Sequence, residues 1–218
     1  MIIDNRENLY DNRPMKKGMR IIYPVGQGLY FNITNRCPCA CTFCIRQKDE
    51  KFYVEDSLWL DHEPSFEEVK AALLAENLEK YSEFVFCGFG EPTEALDTLL
   101  ETAKFLKSKY DKPIRINTNG LGNLINKKDI APLFKGLIDS VSISLNSSNS
   151  AIYQERVRPK FGEKSHAAML EFAVEAAKFV PSVTMTTVST TITKEDEEAC
   201  KKLCEKIGVK YRIRNLIS

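Results

Sequence analysis

The sequence predicts an α/β fold, and three observations predict it. Short β-rich runs alternate with amphipathic helical segments, six such runs occur, and polar motifs follow several of them. This alternation argues for a parallel sheet joined by right-handed crossovers. Six units are two fewer than a closed eight-stranded barrel needs, so we expect an open, TIM-like partial (βα)6 barrel. A flat doubly wound sheet is the alternative, because periodicity alone does not distinguish the two.

The predicted strands are short runs of β-branched, aromatic or alternating residues. The clearest is Ser140-Val-Ser-Ile-Ser-Leu145, where apolar and polar side chains alternate as they do along a half-buried strand. The six runs span residues 29–33, 84–86, 114–117, 140–145, 183–188 and 209–217.

The predicted helices lie between these strands. Ser65 and Glu68 have the spacing of a capping box, which begins an amphipathic segment that extends to about residue 79. The other helical segments span residues 93–109, 128–134, 166–179 and 194–207. The residues after Leu145 predict a long polar loop, which includes Arg156, Arg158 and Pro159.

Length and composition predict one domain. The chain has 218 residues, of which 43% are hydrophobic and 28% charged, and its formal net charge is +1. We assign residues 1–24 to an N-terminal extension and residues 25–218 to the barrel, with no C-terminal domain expected after it. The charge balance does not indicate a nucleic-acid binder, which usually has a basic excess. The sequence shows neither a secretory signal nor an apolar run of about 20 residues, which predicts a cytoplasmic protein without membrane contact.

Four of the seven cysteines lie in the segment "CPCACTFC", residues 37–44. An odd number of crowded cysteines in a reducing compartment points to metal or redox chemistry rather than to disulfides. Cys37, Cys41 and Cys44 have C-x-x-x-C-x-x-C spacing, which supplies three thiolates to a 4Fe–4S cluster and leaves one iron open to a small ligand. A structural zinc would commonly use a second cysteine pair, and a redox pair of Cys41 and Cys44 would leave Cys37 and Cys39 unexplained. Both remain alternatives.

Three further motifs follow the next three predicted strands. They are Gly88-Phe-Gly-Glu-Pro92, Thr118-Asn119-Gly120, and the polar residues Ser142, Ser144 and Asn146. Since the carboxyl ends of parallel strands share one edge of the sheet, we expect these motifs to lie beside the cysteine loop. Each has a simpler interpretation, because Glu91-Pro92 suits a helix start and the other two suit turns or strand ends.

Cys37-x-x-x-Cys41-x-Phe43-Cys44 resembles the cluster loop of the radical S-adenosylmethionine (radical SAM) enzymes. Gly88–Pro92 is similar to that superfamily's "GGEP" segment, whose backbone receives the methionyl amino group. Thr118-Asn119-Gly120 resembles the third-strand motif, and the fourth-strand polar residues lie where the ribose or carboxylate is usually reached. The resemblance implies a 4Fe–4S cluster on Cys37, Cys41 and Cys44 as the catalytic centre, with SAM as second cofactor.

The resemblance also implies the SAM-contacting residues and the reaction. The expected contacts are Phe43, Gly88, Gly90, Glu91, Pro92, Thr118, Asn119, Ser142, Ser144, Asn146, Val188 and Ile213. The fifth strand lacks the glycine that many members have in the segment that contacts the adenine. Backbone contacts do not depend on that glycine, so Val188 is expected to contact SAM through its backbone. Residues 212–214 are expected to flank the adenine, again mostly through their backbone. Reductive cleavage of SAM would yield a 5′-deoxyadenosyl radical, which abstracts hydrogen from an unknown substrate.

The segments "NITNRC", "FCIR", "SLWLDHEPS", "CGFGEPT" and "LNSSNSAIYQERVRPKFG" resemble the TatD-linked radical SAM family over residues 22–217. The implied partners are a reductant protein of flavodoxin or ferredoxin type and a substrate. We expect the open side of the barrel to be closed by that substrate, as a protein or other large molecule, or by a dimer partner. The alternative functions are an iron–sulfur electron carrier or sensor that does not cleave SAM, and an α/β binding module with structural zinc.

Overall fold

The computed structural model describes residues 19–47 and 58–215, in which seven strands and six helices form. The strands are β1 (Ile22–Val25), β2 (Gly28–Phe31), β3 (Glu83–Phe86), β4 (Ile114–Thr118), β5 (Ser140–Ser144), β6 (Ser182–Val188) and β7 (Lys210–Arg214). The helices are α1 (Phe66–Leu74), α2 (Leu96–Lys109), α3 (Gly122–Asn126), α4 (Ser150–Val157), α5 (Lys164–Ala176) and α6 (Lys194–Lys206).

The strands form one sheet in their chain order, from β1 to β7. Strands β2 to β7 are parallel neighbours and correspond to the six predicted strands, which confirms the predicted α/β class. β1 was not predicted, and it pairs antiparallel with β2 through a turn at Gly26. It begins at Ile22, within the segment assigned to the N-terminal extension; residues 1–18 and 216–218 lie outside the described residues.

Each strand presents one face to the helices and one face to the interior of the sheet's curve. The helix side carries the core, including the fully buried Phe31, Phe84 and Phe86. The opposite face is polar, and on it Cys87, directly after β3, interacts electrostatically with Arg214 of β7. Since β3 and β7 are separated by three strands, an interaction between their ends requires a curved sheet. The sheet does not close, so the predicted open partial barrel is confirmed and the flat alternative is wrong.

The helices differ from the prediction in length and number. The capping box at α1 is present, because the Ser65 hydroxyl accepts from the Glu68 amide while the Glu68 carboxylate accepts from the Ser65 amide. α1 ends at Leu74, earlier than predicted, and a short 3-10 turn at Leu78–Lys80 follows it. The helix predicted at 128–134 is only a 3-10 turn, Ala131–Phe134, and the unpredicted α3 precedes it.

The largest correction concerns the predicted polar loop after Leu145, which contains helix α4. Asn149 caps this helix, since its side-chain oxygen accepts from the amides of Ala151 and Ile152. The helix buries Tyr153 and Val157 and ends at Arg158, which adopts a left-handed conformation with φ of 49°. The chain then turns back toward the cysteine loop.

Candidate active site

The cysteine loop follows β2 and is held in place by the chain that leaves α4. The two segments run antiparallel, with an isolated bridge between Cys39 and Pro159. Four backbone hydrogen bonds join them: the Ala40 amide donates to the carbonyls of Val157 (3.1 Å) and Arg158 (3.4 Å), Thr42 donates to Arg156 (2.8 Å), and Lys160 donates to Pro38 (2.8 Å). The predicted loop residues Arg156, Arg158 and Pro159 therefore support the cysteines through the backbone.

The entrance to the loop is fixed by ion pairs. Arg36, directly before Cys37, contacts Glu63 at 2.6 Å and Glu94 at 3.4 Å, and the Thr34 hydroxyl donates to Glu63. A surface cavity of about 370 Å³ lies against Arg36, Glu63 and Glu94, and its lining includes none of the predicted site residues. The chemistry predicted from the sequence lies elsewhere, at the cysteines.

All four cysteines of the loop are free and partly accessible. Hydrogen bonding between Cys39 and Cys37 lowers the pKa of the Cys37 thiol and raises that of Cys39, whereas burial raises the pKa of Cys44. Cys39 also hydrogen-bonds Cys41, so the odd cysteine lies between two of the predicted ligands. Within residues 19–47 and 58–215, no three Cys, His, Asp or Glu side chains converge to hold a single metal ion. A cluster places each thiolate on a different iron, so its ligands need not converge on one point.

The glycine turn after β3 packs directly against this loop. A Cβ on Gly90 would lie 2.2 Å from the carbonyl oxygen of Thr34, and one on Gly88 would lie 2.2 Å from Asn32 Oδ1. Both contacts are far shorter than side chains allow. The amide of Phe89 donates to the same Asn32 oxygen at 3.3 Å. The two glycines are therefore needed for the turn to approach the segment that leads to Cys37.

Glu91 joins the glycine turn to the end of β4. Its buried carboxylate accepts from the Thr118 hydroxyl and the Asn119 amide, both at 2.7 Å, and from the hydroxyl and amide of Thr93 at 2.9 and 3.2 Å. Burial raises the pKa of Glu91, and these hydrogen bonds act in the opposite direction. The Glu91 amide donates to the carbonyl of Arg36 at 2.8 Å. Glu91 thus holds the β4 motif against the start of the cysteine loop.

Asn119 completes this link. Its Nδ2 donates to Cys39 Sγ at 3.7 Å and lies 4.0 Å from Cys37 Sγ, while its Oδ1 accepts from the Leu121 amide. The hydroxyl of Thr118 is used within the protein, because it donates to Glu91 and accepts from the Gly120 amide. The structure therefore brings the first three predicted motifs together at one edge of the sheet.

The fourth of the six predicted strands is β5 in the structure. Its polar residues lie at the same edge of the sheet, along β5 and just beyond it. Ser142 is buried and Ser144 is half-buried, two positions apart on the same face. Asn146 adopts a left-handed conformation with φ of 63°, and its Oδ1 is buried without a hydrogen-bond partner among the described residues. A buried acceptor without a donor carries a free-energy cost that a bound ligand could remove.

The remaining predicted residues are more dispersed. Val188 is buried at the end of β6 and pairs with Arg214, whereas Ile213 pairs with Thr187 and is 43% exposed on the helix side of β7. Phe43 is half-buried within the cysteine loop. Their predicted contacts with SAM stay predictions.

Tyr153 is a functional candidate that was missed in the sequence, and for Arg214 only a backbone role was predicted. Tyr153 of α4 is fully buried near the cysteines, and the Arg214 side chain reaches the polar interior of the barrel. The Asn149 cap and the four-residue spacing of Tyr153 and Val157 are helix signals that could have revealed the first. Alternation along β7 could have placed Arg212 and Arg214 on one face.

Comparison with known families agrees with this geometry. The model of the radical SAM superfamily matches residues 31–205. The chain belongs to the radical SAM superfamily. This confirms the predicted superfamily and, with it, the pair of cofactors that the superfamily uses, a 4Fe–4S cluster and SAM. The Cys37–Cys44 loop lies within the matched range.

Solved radical SAM structures share the fold at low sequence identity. SuiB of Streptococcus suis, bound to precursor peptide SuiA, is 17% identical with a TM-score of 0.66, and the match covers 88% of this chain and 39% of SuiB. A radical SAM methyltransferase from Sphaerobacter thermophilus is 13% identical with a TM-score of 0.64, covering 89% and 68%. The hydrogenase maturase HydG of Carboxydothermus hydrogenoformans is 20% identical with a TM-score of 0.58, covering 88% and 44%.

The chain therefore spans about two fifths of SuiB and of HydG. No curated protein matches it. Among the described helices, none has both the length and the apolar character that crossing a bilayer requires.

Proposed function

We propose that this protein is a radical SAM enzyme of the TatD-linked family that holds a 4Fe–4S cluster through Cys37, Cys41 and Cys44 and cleaves SAM reductively. The observation that carries the proposal is the cysteine loop itself, which is fixed at the carboxyl end of β2 against the glycine turn and Asn119. When bound, the cluster and SAM supply a 5′-deoxyadenosyl radical that abstracts hydrogen from the substrate.

The donor set fits such a cluster. Three partly accessible thiols with family spacing lie on one loop, and thiolates are the usual ligands of iron–sulfur clusters. Two buried polar atoms without partners among the described residues, the Tyr153 hydroxyl and Asn146 Oδ1, belong to the surrounding elements. Cys39 has the wrong spacing to join the triple and serves as a neighbour of Cys37 and Cys41.

The surrounding residues have separate roles in this proposal. Gly88 and Gly90 let the backbone of the turn reach SAM, while Glu91 and Thr118 hold the turn and the β4 motif together. Ser142, Ser144 and the unpartnered Asn146 oxygen offer hydrogen bonds to the ribose and the methionyl group. Val188 and Ile213 contact the adenine through their backbone, and Phe43 and Pro92 shape the pocket without donating hydrogen bonds from their side chains.

The substrate is proposed to enter from the open side of the barrel. The sheet leaves the β1 and β7 edges unjoined, so a large substrate or a partner chain can cover the interior. SuiB, which shares the fold, has been solved with a precursor peptide and also with S-adenosylmethionine. This supports a peptide or protein substrate, with electrons supplied by a flavodoxin or ferredoxin. Oxygen-sensitive clusters and free thiols also suit the predicted cytoplasmic location.

The test is anaerobic SAM cleavage. Reconstituted protein is reduced in the presence of SAM, and 5′-deoxyadenosine and methionine are measured, with Cys41→Ala as the control that lacks one thiolate. We expect both products from the wild type and neither from the variant. An iron-loaded wild type that makes no 5′-deoxyadenosine, even when a cell lysate supplies substrate, would identify an electron carrier or sensor. A colourless, zinc-containing preparation would identify a structural-zinc module.

A further inference from the structure

The interior face of the barrel carries an excess of positive charge. Of the strand residues on this face, the only acid within the described part of the chain is Glu83, which pairs with Arg115 at 2.8 Å. Lys210, Arg212 and Arg214 alternate along the inner face of β7, whereas Tyr211 packs toward the helices. Because Arg115 is paired, the excess on this face lies on one strand, β7, while the whole chain has a net charge of only +1.

Arg214 is the residue of this group with the least compensation. Its Nε is buried without a hydrogen-bond partner, and no acidic side chain pairs with it among residues 19–47 and 58–215. Burial lowers the pKa of its guanidinium, and the neighbouring titratable groups are the Cys87 thiol, whose own pKa is raised by burial, and a second cation, Arg212. An arginine stays charged in proteins, and buried charges are normally paired. Among the described residues, Arg214 therefore has an unused donor that an anionic ligand could occupy.

We propose that the substrate carries an anionic group, a carboxylate or a phosphate, and that Arg214 and Arg212 bind it inside the barrel. The inference rests on the proposed function, because it assigns the anion to the substrate of the SAM-dependent reaction. A planar guanidinium that offers two parallel donors suits either anion. Cys87 and Asn117 lie on the same face of the sheet as Arg214. An anion bound by Arg214 would therefore lie inside the barrel, next to β7.

Inorganic phosphate serves as the probe. The reconstituted protein is saturated with SAM, and its thermal unfolding is followed as phosphate replaces chloride at constant ionic strength. We expect phosphate to raise the midpoint temperature. Arg214→Met and Arg212→Met should each weaken apparent phosphate binding at least tenfold, about 1.4 kcal/mol. Arg214→Lys should retain part of the effect, and Lys201→Met, which removes an exposed charge on α6, should retain all of it.

Equal phosphate affinity in the wild type and both arginine variants would overturn the proposal. So would a loss of SAM binding in Arg214→Met with unchanged phosphate binding, because the arginine would then serve the SAM carboxylate. Substrate-free cleavage of SAM is measured in the same samples. If the wild type binds phosphate but never cleaves SAM, the proposed function fails while the anion site stands.

A second inference concerns Tyr153. Its side chain is 1% exposed, and its ring packs against His166 with centroids 5.2 Å apart. The hydroxyl is buried and has no hydrogen-bond partner in the described part of the chain. After burial, the largest electrostatic influences on it are Cys39, Cys41 and Cys37, in that order. A buried phenol with an unused donor therefore lies close to the cysteine loop, to which its helix α4 is joined by the hydrogen bond from the Ala40 amide to the Val157 carbonyl.

We infer that the Tyr153 hydroxyl donates a hydrogen bond to the thiolates of the cluster or to its sulfides. A hydrogen bond at these sulfurs stabilises the added negative charge of the reduced state and so raises the reduction potential. Tyr153 would then be a positioning residue, which sets how readily the centre accepts its electron and does not touch the substrate.

The test is Tyr153→Phe, which keeps the ring and removes the oxygen. We expect unchanged iron content and a lower midpoint potential in a redox titration followed by electron paramagnetic resonance. A tenfold change in the one-electron equilibrium would be about 59 mV. Tyr211→Phe is the control, because that hydroxyl bonds Thr187 at 2.7 Å on the helix side of the sheet.

An unchanged potential in Tyr153→Phe would overturn this second inference. A loss of the cluster would overturn it too, since Tyr153 would then be a structural support of the loop. The same holds if the effect disappears in a Cys39→Ala background, which would show that the hydroxyl acts on the odd cysteine.

Discussion

Gly88 and Gly90 show what single residues contribute to this site beyond a motif. The sequence predicted them as SAM contacts, and the structure adds a reason for glycine that is independent of any ligand. Each lies against the segment from Asn32 to Arg36, with no room for a Cβ. A motif can indicate which residues are present, but this requirement depends on how closely two strand ends approach in space.

We expect Gly90→Ala to lower the free energy of unfolding by about 1–3 kcal/mol and to reduce iron loading, because the added methyl would displace the backbone at Thr34 and Arg36. Urea unfolding and iron analysis measure the two effects. Gly136→Ala is the control, since Gly136 has φ of 73° and no atom lies within 4 Å of the position that an added methyl would take. It should lose a similar stability, about 1–2 kcal/mol, through backbone strain and keep its iron. Equal iron loading in both variants would contradict this account of the glycine turn.

Some of the other site residues could be identified from the sequence, and others only from their packing in the structure. The three proposed ligand cysteines were chosen by their spacing, which matches the cluster loop of the family that the sequence resembles. The side-chain roles proposed for Tyr153 and Arg214 could not be predicted, because a tyrosine in a short helix and an arginine in a strand are ordinary until their neighbours are known. Both proposals depend on buried polar atoms that have no hydrogen-bond partner among residues 19–47 and 58–215, which only the packed chain reveals.

At the scale of elements, helices were predictable where the helical pattern extends over nine or more residues, and a side-chain cap was not required, because α2 and α5 have none. α1, α2, α5 and α6 contain residues of the predicted helices, and the capping box at Ser65 was identified correctly. α4 was missed because an eight-residue helix with two buried side chains gives little periodicity. β1 was missed because it contains Pro24, and proline is usually read as evidence against a strand unless that strand lies at an edge.

The capping box predicts a pH dependence for the stability of α1. Hydrogen bonds from the Ser65 amide, His62 and the Ser65 hydroxyl lower the pKa of Glu68 to about 2, from an ordinary value of 4.5. The folded-state pKa is depressed, so this contribution is complete above pH 4.5 and is lost as the pH falls toward 2. Glu68→Gln should therefore lower the urea midpoint at pH 6, and the difference from the wild type should shrink at pH 3.

Glu67→Gln is the matched control for this measurement. Glu67 lies in the same first turn, is exposed, and pairs with Lys70 at 3.3 Å. Its substitution should leave the urea midpoint nearly unchanged at both values of pH. A Glu68→Gln difference that is the same at pH 3 as at pH 6 would show that the carboxylate charge does not stabilise the cap.

At the scale of the whole molecule, the order of the six parallel strands follows from the alternation of strands and helices. The curvature does not, because flat and curved sheets bury the same alternating side chains. The electrostatic interaction between Cys87 and Arg214 across the interior shows that the sheet is curved and not flat. The same curvature leaves an opening between the edge strands β1 and β7.

We expect this opening to be covered in the working enzyme by a large substrate or a partner chain. Anaerobic gel filtration, with and without candidate proteins, should show a complex or a dimer that correlates with substrate turnover. A strictly monomeric protein that is fully active on a small metabolite would exclude this arrangement.

The central claim is that three of the four crowded cysteines hold the cluster, and iron analysis of four reconstituted variants tests it most directly. Wild type and Cys39→Ala should each bind about four irons per chain, with the same brown absorption. Cys37→Ala, Cys41→Ala and Cys44→Ala should each bind almost none. The claim would be contradicted if Cys39→Ala lost its iron while one of the other three variants kept a full cluster.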